Sequence, residues 1–514
     1  MDFNTFPPGL INIKKHLENG LFKNTHIDEQ TLELKIRGNK NLIFSLNSFA
    51  WLFFLSSLNT HVSKKNTEYL FKKSNILESN FSYPAWKPDV TGLRLLALSL
   101  NINYLKLTNI LNKKNELLEF LSFHVLYLNI CKLFISRGLP SLRIKMGIFF
   151  SSFLVSELSL KRNKIIKDIL KDLNFIFDNR NNIKSRNSSD LLELLFFINR
   201  IMKFSSTSDL SNGKIDKKLK KFQNIICPML KGLSLGNGLL VRSQNSSGFS
   251  IYCELEKELS DANPSDYSIL KNSNGFIRIN PGRLILIFDE NTNLKKNNSK
   301  DFMCSAFSFE LSSGNSILMQ NNTSFFCHIG KSDEVLLLKN QLNTLGVNII
   351  NEKLKNLDFI SKVNEINHYR DLKNHYLEGD KFISFEKNLV FYNRKLIIPF
   401  SGNEITGKER IILNKINKKS HSFYLPFYFH PDVDVWKSDG SSNFLLKLKN
   451  NEMWRFEIDQ KNVLFEEYEF LDPIDLEIKN GYRIVLTKNF NEKETVFNWK
   501  LHHQKFSQRS IKRN

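Results

Sequence analysis

The sequence predicts a multidomain α-then-β protein, with a layered helical N-terminal half and an antiparallel β-sandwich in the C-terminal half. Three observations carry this reading. Before about residue 235 apolar residues recur every three to four positions, the period of a helix that buries one face. After it, short runs alternate apolar and polar residues, with turn-forming Asn, Gly and Ser between them. At 514 residues the chain is also too long for one core of ordinary size. The period switch divides it into residues 1–235 and 236–514, and a ligand site is expected in the cleft where the halves meet.

In the first half, residues 41–57, 92–107, 114–137, 141–160, 162–178, 188–204 and 216–232 read as helices. Ser141–Leu160 shows the pattern well: Leu142, Ile144, Met146, Phe149, Phe150, Phe153 and Leu154 cover most of the circumference, as in a helix buried within a helical layer. Breaks fall at Tyr83-Pro84, Gly138-Leu139-Pro140 and Ser205–Gly213, each rich in residues that stop a helix. Consecutive antiparallel pairs of this kind build a toroid or a solenoid, and periodicity does not separate the two. In the second half, Gly282–Asp289, Ala306–Leu311, Ser316–Gln320, Asn388–Pro399, Phe444–Leu448, Trp454–Asp459, Val463–Glu469 and Tyr482–Thr487 read as strands. Turns such as Ser312–Asn315, Ser401–Asn403 and Ser438–Gly440 join them, which indicates an antiparallel sandwich. The basic tail, His502–Asn514, reads as a frayed terminus.

The net charge is +21, but Lys, Asn, Ile and Phe are raised together along the chain, as AT-rich coding would produce. The charge therefore reads first as compositional drift and second as a basic surface for an anionic partner. No zinc finger, aromatic RNA-binding strand or basic helix with heptads is present, which argues against nucleic acid. The five cysteines, Cys131, Cys227, Cys253, Cys304 and Cys327, form no CxxC pair and give no disulfide framework. The N-terminus has an acid at position 2, two prolines and no apolar signal core, so a cytoplasmic location is the default and a periplasmic one the alternative. The most apolar stretches, 118–136 and 146–160, are interrupted by His124, Asn129, Lys132, Ser151, Ser152 and Glu157, and read as buried helices rather than membrane spans.

Several ordered segments resemble those of the heparinase II/III-like proteins, specifically an alphaproteobacterial group of unknown activity. Pro84–Thr91 followed by Arg94-Leu95 is similar to that group's PAWRPDVT…RRL, and Arg137–Pro140 to a turn of its toroid. Ser308–Gly314 is similar to its LSFELSxG strand, Ile405–Arg410 to LxGEDR, Phe427–Pro431 to FHLHP and Met453–Phe456 to GWRF. The resemblance implies an incomplete (α/α) toroid followed by a sandwich, and β-elimination on an acidic, uronate-containing polysaccharide. Such a reaction needs a group that neutralises the uronate carboxylate and a Tyr or His to move protons at C5 and at the leaving oxygen.

Carried over residue by residue, the pattern is only partly kept. The family's DGGHISRNP segment falls on Arg180–Ser188: Ser185, Arg186 and Asn187 match, while its His falls on Ile183, which cannot transfer a proton. Arg186 and Asn187 are candidate carboxylate-binding residues, and Asn187 or Ser188 is equally suited to cap the helix that follows. The family's HDGY…HRR segment puts Tyr392 at its second His and Arg394 at an arginine, while its first His has no counterpart near Asp380. His375 and Tyr376 lie a few residues earlier and suit base and acid, or form an exposed loop. His430 matches the last His of FHLHP. With Tyr428, Asp432 and Asp434 on alternate positions it could serve catalysis or a divalent ion such as zinc, or simply end a strand. Cys327-His328 is a further soft pair without companion ligands. No cofactor is called for. The sequence thus supports a lyase with catalytic His375, Tyr376, Tyr392 and His430 and substrate-binding Arg186, Asn187 and Arg394. Its alternative is a family member whose acid–base residues have eroded, leaving a glycan-binding or structural module. Loss of a general acid or base removes roughly 10²–10⁴-fold of rate, so the replacement by Ile183 bears directly on that choice.

Overall fold

The computed structural model describes residues 44–73, 85–242, 253–290, 306–322, 342–349 and 360–504, apart from short breaks within these ranges. Among them, helices occupy the first half and antiparallel strands the second. The helices are α1 (Trp51–Leu58), α2 (His61–Lys73), α3 (Pro88–Leu100), α4 (Ile102–Leu105), α5 (Lys114–Cys131), α6 (Leu139–Ser151), α7 (Arg162–Ile176), α8 (Ser188–Ser205), α9 (Gly213–Gly232) and α10 (Leu255–Ala262). Local chemistry sets several of their ends. Pro88 supplies a preset φ in the first turn of α3, Gly138 precedes α6 at φ 141°, and Asn59 closes α1 in the left-handed conformation. Helices α2 and α10 escape the periodicity reading, α2 because it carries only a short apolar stripe within HVSKKNTEYLFKK. The changeover from helix to strand lies between Ala262 and Asn272, since Leu235, Leu239, Leu240, Val241, Cys253 and Leu255 still bury into the helical core.

Helices α3 and α6 pack with their backbones almost touching. A Cβ on Gly147 would sit 2.3 Å from the carbonyl oxygen of Gly92, and one on Gly92 would sit 2.7 Å from that of Arg143. Around this contact Arg94 is fully buried. It donates to the carbonyl oxygens of Asn47 and Ala85 at 3.0 and 2.9 Å and to His124 Nε2 at 3.1 Å, and lies 5.0 Å over the Trp86 ring. Next to it, Arg143 of α6 bridges Asp89 of α3 (3.2 Å) and Glu193 of α8 (2.6 Å), tying three helices through one guanidinium.

The strands form three ladders. Strands β1 (Asn272–Ser273), β2 (Phe276–Ile279), β3 (Leu284–Asp289), β4 (Phe309–Ser313) and β5 (Ser316–Met319) make a meander in that order. Strands β15 (Val463–Leu471), β16 (Ile478–Asn489), β11 (His421–Tyr428) and β6 (Gly346–Ile349) make a second ladder, joined to the first by the Met319–Phe429 bridge. The opposing sheet has eight strands in the order β12 (Asp434–Lys437), β13 (Asn443–Lys447), β14 (Met453–Ile458), β17 (Glu494–His503), β10 (Glu404–Leu413), β9 (Asn388–Pro399), β8 (Asn374–Phe385) and β7 (Ile360–Arg370). Between the layers lies one apolar core in which Leu286, Phe288, Phe309 and Leu311 meet Leu396, Phe456, Trp499 and Leu501. The β1–β5 sheet is covered on its other face as well, because Phe276, Ile287 and Ile317 join the helical core. Its strands are accordingly almost entirely buried. Strands β8, β10 and β17 carry Lys, Glu or Asn along one face (Asn374 and Glu378; Glu404 and Lys408; Glu494, Asn498 and Lys500), and their alternation becomes visible only once the partner sheet is in place.

Gly147→Ala replaces a glycine with a better helix former, worth about 1 kcal/mol in an exposed helix. The overlap with Gly92 is between backbones and dominates, so a loss of roughly 1–3 kcal/mol is expected. Chemical denaturation of the variant checks this.

Candidate functional site

The segment expected to bind a carboxylate is the loop that docks helices onto the small sheet. Asn182 Oδ1 accepts from the Asn274 backbone N–H at 2.8 Å, and Asn274 Oδ1 accepts from that of Ile183 at 3.1 Å, a reciprocal clasp onto the β1–β2 turn. Ile183 is buried and bridged to Phe177. Arg186, at φ 54°, donates to the carbonyl oxygens of Asn274 (3.1 Å) and Gly275 (2.8 Å) and to Asp289 Oδ1 (2.5 Å), with its guanidinium 4.9 Å over the Phe276 ring. Gly275 is the residue that fits there: it sits at φ +78°, and a Cβ would lie 2.9 Å from the Arg186 guanidinium. Arg186 is 8% exposed and its charge is matched by Asp289, so it does not face an open trough. Asn187 Oδ1 accepts from the Ser189 N–H at 2.9 Å, which makes it the cap of α8.

Tyr392 and Arg394 depart furthest from expectation. Both lie on the inner face of β9, fully buried between the sheets. Glu409 of β10 accepts from Arg394 Nε at 3.0 Å, from the Tyr392 hydroxyl at 2.5 Å and from Trp499 Nε1 at 2.8 Å. Arg394 Nη1 donates to the carbonyl oxygens of Phe307 and Asn343 at 2.6 Å each. Burial first, and then the Glu409 carboxylate, hold the Tyr392 phenol well above its ordinary range, opposite to what a base needs at neutral pH. These residues knit the sandwich, and their side chains are closed off from solvent. Trp499 can lie against β10 because Gly407 leaves no Cβ there; one would come within 2.0 Å of the indole.

His430 belongs to a different corner, where β5 meets the end of β11. Its ring packs on Phe470 at 5.3 Å, and the Arg242 guanidinium lies 4.3 Å over the same ring. Burial lowers the His430 pKa to about 4, so the ring is neutral at pH 7. Its Nδ1 accepts from the Asp432 N–H at 3.2 Å, while the Asp432 carboxylate pairs with Lys449 at 2.7 Å. Tyr428 is buried and accepts from Arg483 Nη1 at 3.0 Å. Glu310 Oε1 accepts from the backbone N–H groups of Arg242 and Asn321, both at 3.1 Å, and burial raises its carboxyl to about 8. Ser188 Oγ donates to the Val241 carbonyl at 2.8 Å, tying this corner to the start of α8. Sequence reasoning missed Arg242 and Glu310, although Glu310 is the acid of the SFELSSG segment. Among the described residues no three His, Cys, Asp or Glu side chains are placed to hold a metal ion, and Cys327-His328 lies outside the described residues.

His375 and Tyr376 sit at the opposite end of the molecule. His375 stacks with His368 at 5.8 Å and meets Phe400 edge-on at 4.8 Å, while Tyr376 points to the other face of β8 and donates to Asp371 Oδ2 at 2.8 Å. Phe400 adjoins Ser401-Gly402, which packs on Gly282 ahead of β3, whereas Arg186 binds Asp289 at the far end of β3. The six residues Leu284–Asp289 therefore separate them, about 17 Å along the strand. The candidates fall into four groups: Arg186 and Asn187 at the helix–sheet seam, Tyr392 and Arg394 in the core, His430 at the β5–β11 corner, and His375 and Tyr376 at the far hairpin.

The outer face of the large sheet carries a depression of about 700 Å³ that the sequence did not reveal, lined in part by Ile397, Ile458 and Trp499. Lys395, Thr406, Lys408, Asn443, Glu457, Asp459, Asn498 and Lys500 line it. Lys408 lies directly opposite Lys395 on one side and Asn498 on the other, and Thr406 opposite Lys500. Like charges directly across a ladder are unfavourable. Lys395 is partly relieved by Glu378 at 3.4 Å and Lys500 by Glu404 at 2.8 Å. The signal for this face is the polar half of the alternation along β9, β10 and β17, legible only after strand order is known.

The fold is that of heparinase III-like lyases. A heparinase III gene product superimposes with a TM-score of 0.56 at 11% identity, covering 98% of this chain and 86% of its own. A crystal structure of heparinase III gives a TM-score of 0.60 at 12% identity, covering 89% of this chain and 76% of the other. The heparan sulfate lyase HepC from Pedobacter heparinus gives 0.51 at 10% identity, over 90% and 76%. No protein-family model matches the chain, and no curated protein matches it by sequence.

The buried groups generate two expectations. His430 titrates at about 4 when folded against 6.5 ordinarily, so the unfolded chain binds the extra proton and stability falls as pH drops from 6.5 to 4. Glu310 has the opposite sign: folded at about 8 against 4.5, it keeps a proton that the unfolded chain has lost, and stability falls as pH rises from 4.5 to 8. His430→Gln should flatten the acid limb and Glu310→Gln the alkaline limb in denaturation curves taken across pH. Separately, Glu409→Ala leaves Arg394 buried without its carboxylate and should cost about 3–5 kcal/mol, read by urea denaturation.

Proposed function

We propose that this protein is a glycan-binding module built on the polysaccharide-lyase fold, with an acidic, uronate-containing polysaccharide as ligand and with elimination chemistry lost. The observation that carries the reading is the dispersal of the proton-moving and carboxylate-binding candidates. Elimination requires a carboxylate neutraliser and a proton acceptor within hydrogen-bond reach of one sugar. Arg186 is matched to Asp289, Tyr392 and Arg394 to Glu409, and His375 stands at the other end of β3. The binding surface we assign is the depression over β9, β10 and β17. Lys395, Lys408 and Lys500 offer point charges for carboxylates there, and Thr406, Asn443 and Asn498 offer neutral partners for hydroxyls. A second reading, elimination at the β5–β11 corner, draws on Tyr428, His430, Arg242 and Arg483 sharing one site with a neutral histidine.

Incubation with uronate-containing polymers separates the two. Expected are saturable binding that weakens with salt and no rise in the ultraviolet absorbance of an unsaturated product. The double variant Lys395→Glu/Lys408→Glu should lose about tenfold in affinity, the equivalent of ~1.4 kcal/mol. Product that accumulates with the parent chain and disappears with His430→Ala would replace this reading by the second. Binding untouched by the charge reversals would move the ligand off the sheet face.

A further inference from the structure

Helix α5 lies in one of the most apolar stretches of the chain, yet three of its large apolar side chains do not enter the core. Leu121, Val125 and Leu128 are 0%, 6% and 0% exposed, whereas Phe123, Leu126 and Ile130 are 45%, 61% and 55% exposed, and Leu133 and Phe134 in the following turn are 75% and 83% exposed. The spacing of these five, at i, i+3, i+7, i+10 and i+11, is that of a single helical face continued into the turn. Scattered exposed apolar residues are ordinary; a contiguous stripe of this size marks a surface that something covers.

The rim of the stripe is cationic. Lys132 is exposed within it and lies within electrostatic reach of Lys161 and Lys164 at the start of α7 and of Lys145, and of one acid, Asp168, which is paired with Lys171 at 2.9 Å. Arg137 and Lys167 are exposed nearby in sequence. Lys161 and Lys164 stand at the N-terminal end of α7, whose first turn holds no acid, where the helix dipole disfavours positive charge. A second copy docked through a two-fold axis would set this stripe against itself and bring the same lysines together. An anionic surface satisfies both features at once.

We propose that the α5 face is a peripheral docking site for an anionic lipid bilayer. Leu126, Ile130, Leu133 and Phe134 enter the boundary between headgroups and acyl chains, and Lys132, Lys161 and Lys164 contact lipid phosphates. No described helix is long and apolar enough to cross a membrane, so the contact is interfacial. It uses residues remote from the β-sheet depression and stands independently of the glycan reading.

The test is sedimentation of the full chain with vesicles of phosphatidylcholine alone and with added phosphatidylglycerol. Expected is binding to the anionic vesicles that weakens with salt, and at least tenfold weaker binding by Leu133→Ser/Phe134→Ser and by Lys132→Glu/Lys164→Glu. Thermal midpoints should be unchanged, because these side chains are exposed. Equal binding by the parent chain and the Leu133→Ser/Phe134→Ser variant overturns the proposal. So does a concentration-dependent dimer of the parent chain that this variant abolishes, which would make the stripe an interface between copies.

Discussion

Buried on both faces, the sheet of β1–β5 has to satisfy two cores at once, with Ile287, Phe276 and Ile317 turned to the helices and Leu286, Phe288 and Leu311 turned to the large sheet. Little along these short strands is free to serve solvent: β3 reads as a continuous apolar run, and in β2 and β4 the polar Arg278 and Glu310 are buried too. The same constraint fixes how the helical half is held. Its docking loop cannot rest on a wet surface, so it ends in groups that satisfy one another: the Asn182–Asn274 clasp and the Arg186–Asp289 pair. A trough between the halves, open at Arg186, is incompatible with that packing.

Charges placed in the interior act as fasteners. Glu409 takes three donors from the two strands that flank it, β9 and β17, and Arg394 carries the connection onward to the carbonyl groups of Phe307 and Asn343. Asn343 in turn donates to the Phe309 carbonyl and accepts from the Tyr428 backbone N–H, so one chain of polar contacts runs from the large sheet through the small one to β11. A buried ion pair adds little net stability against an apolar replacement, but breaking one partner is costly. The segments that resemble the heparinase II/III-like proteins are largely these fasteners. Asp89 binds Arg143, Arg94 holds the α3 start, Glu310 anchors two backbone N–H groups, and Gly407 and Glu409 accommodate and bind Trp499. A shared fold at 10–12% identity does not require shared chemistry.

Much of the architecture was therefore legible in the chain, and the site was not. The helical period before residue 235 and the turn-bounded strands after it gave the α-then-β order, and Asn388–Pro399 matches β9 end to end. Those features are local: they depend on which residues lie three, four or two positions apart. Alternation along β10 likewise says that Glu409 and Lys408 point to opposite faces, but not which face meets the partner sheet.

That decision belongs to the tertiary structure, as does every question of proximity. Tyr392 and Arg394 have the right chemistry for a lyase and the wrong location, because their face of β9 is the inner one. Arg186 could bind a sugar carboxylate as readily as Asp289, and the fold supplies Asp289. His375 and His430 are compatible catalytic partners by type and are assigned to opposite ends of the sandwich by strand order. Sequence fixes the chemical repertoire and the local geometry through covalent spacing. Which groups meet, and which charges neutralise one another in the interior, depends on contacts between residues as far apart as Arg186 and Asp289, or Glu409 and Trp499, which only the assembled layers create.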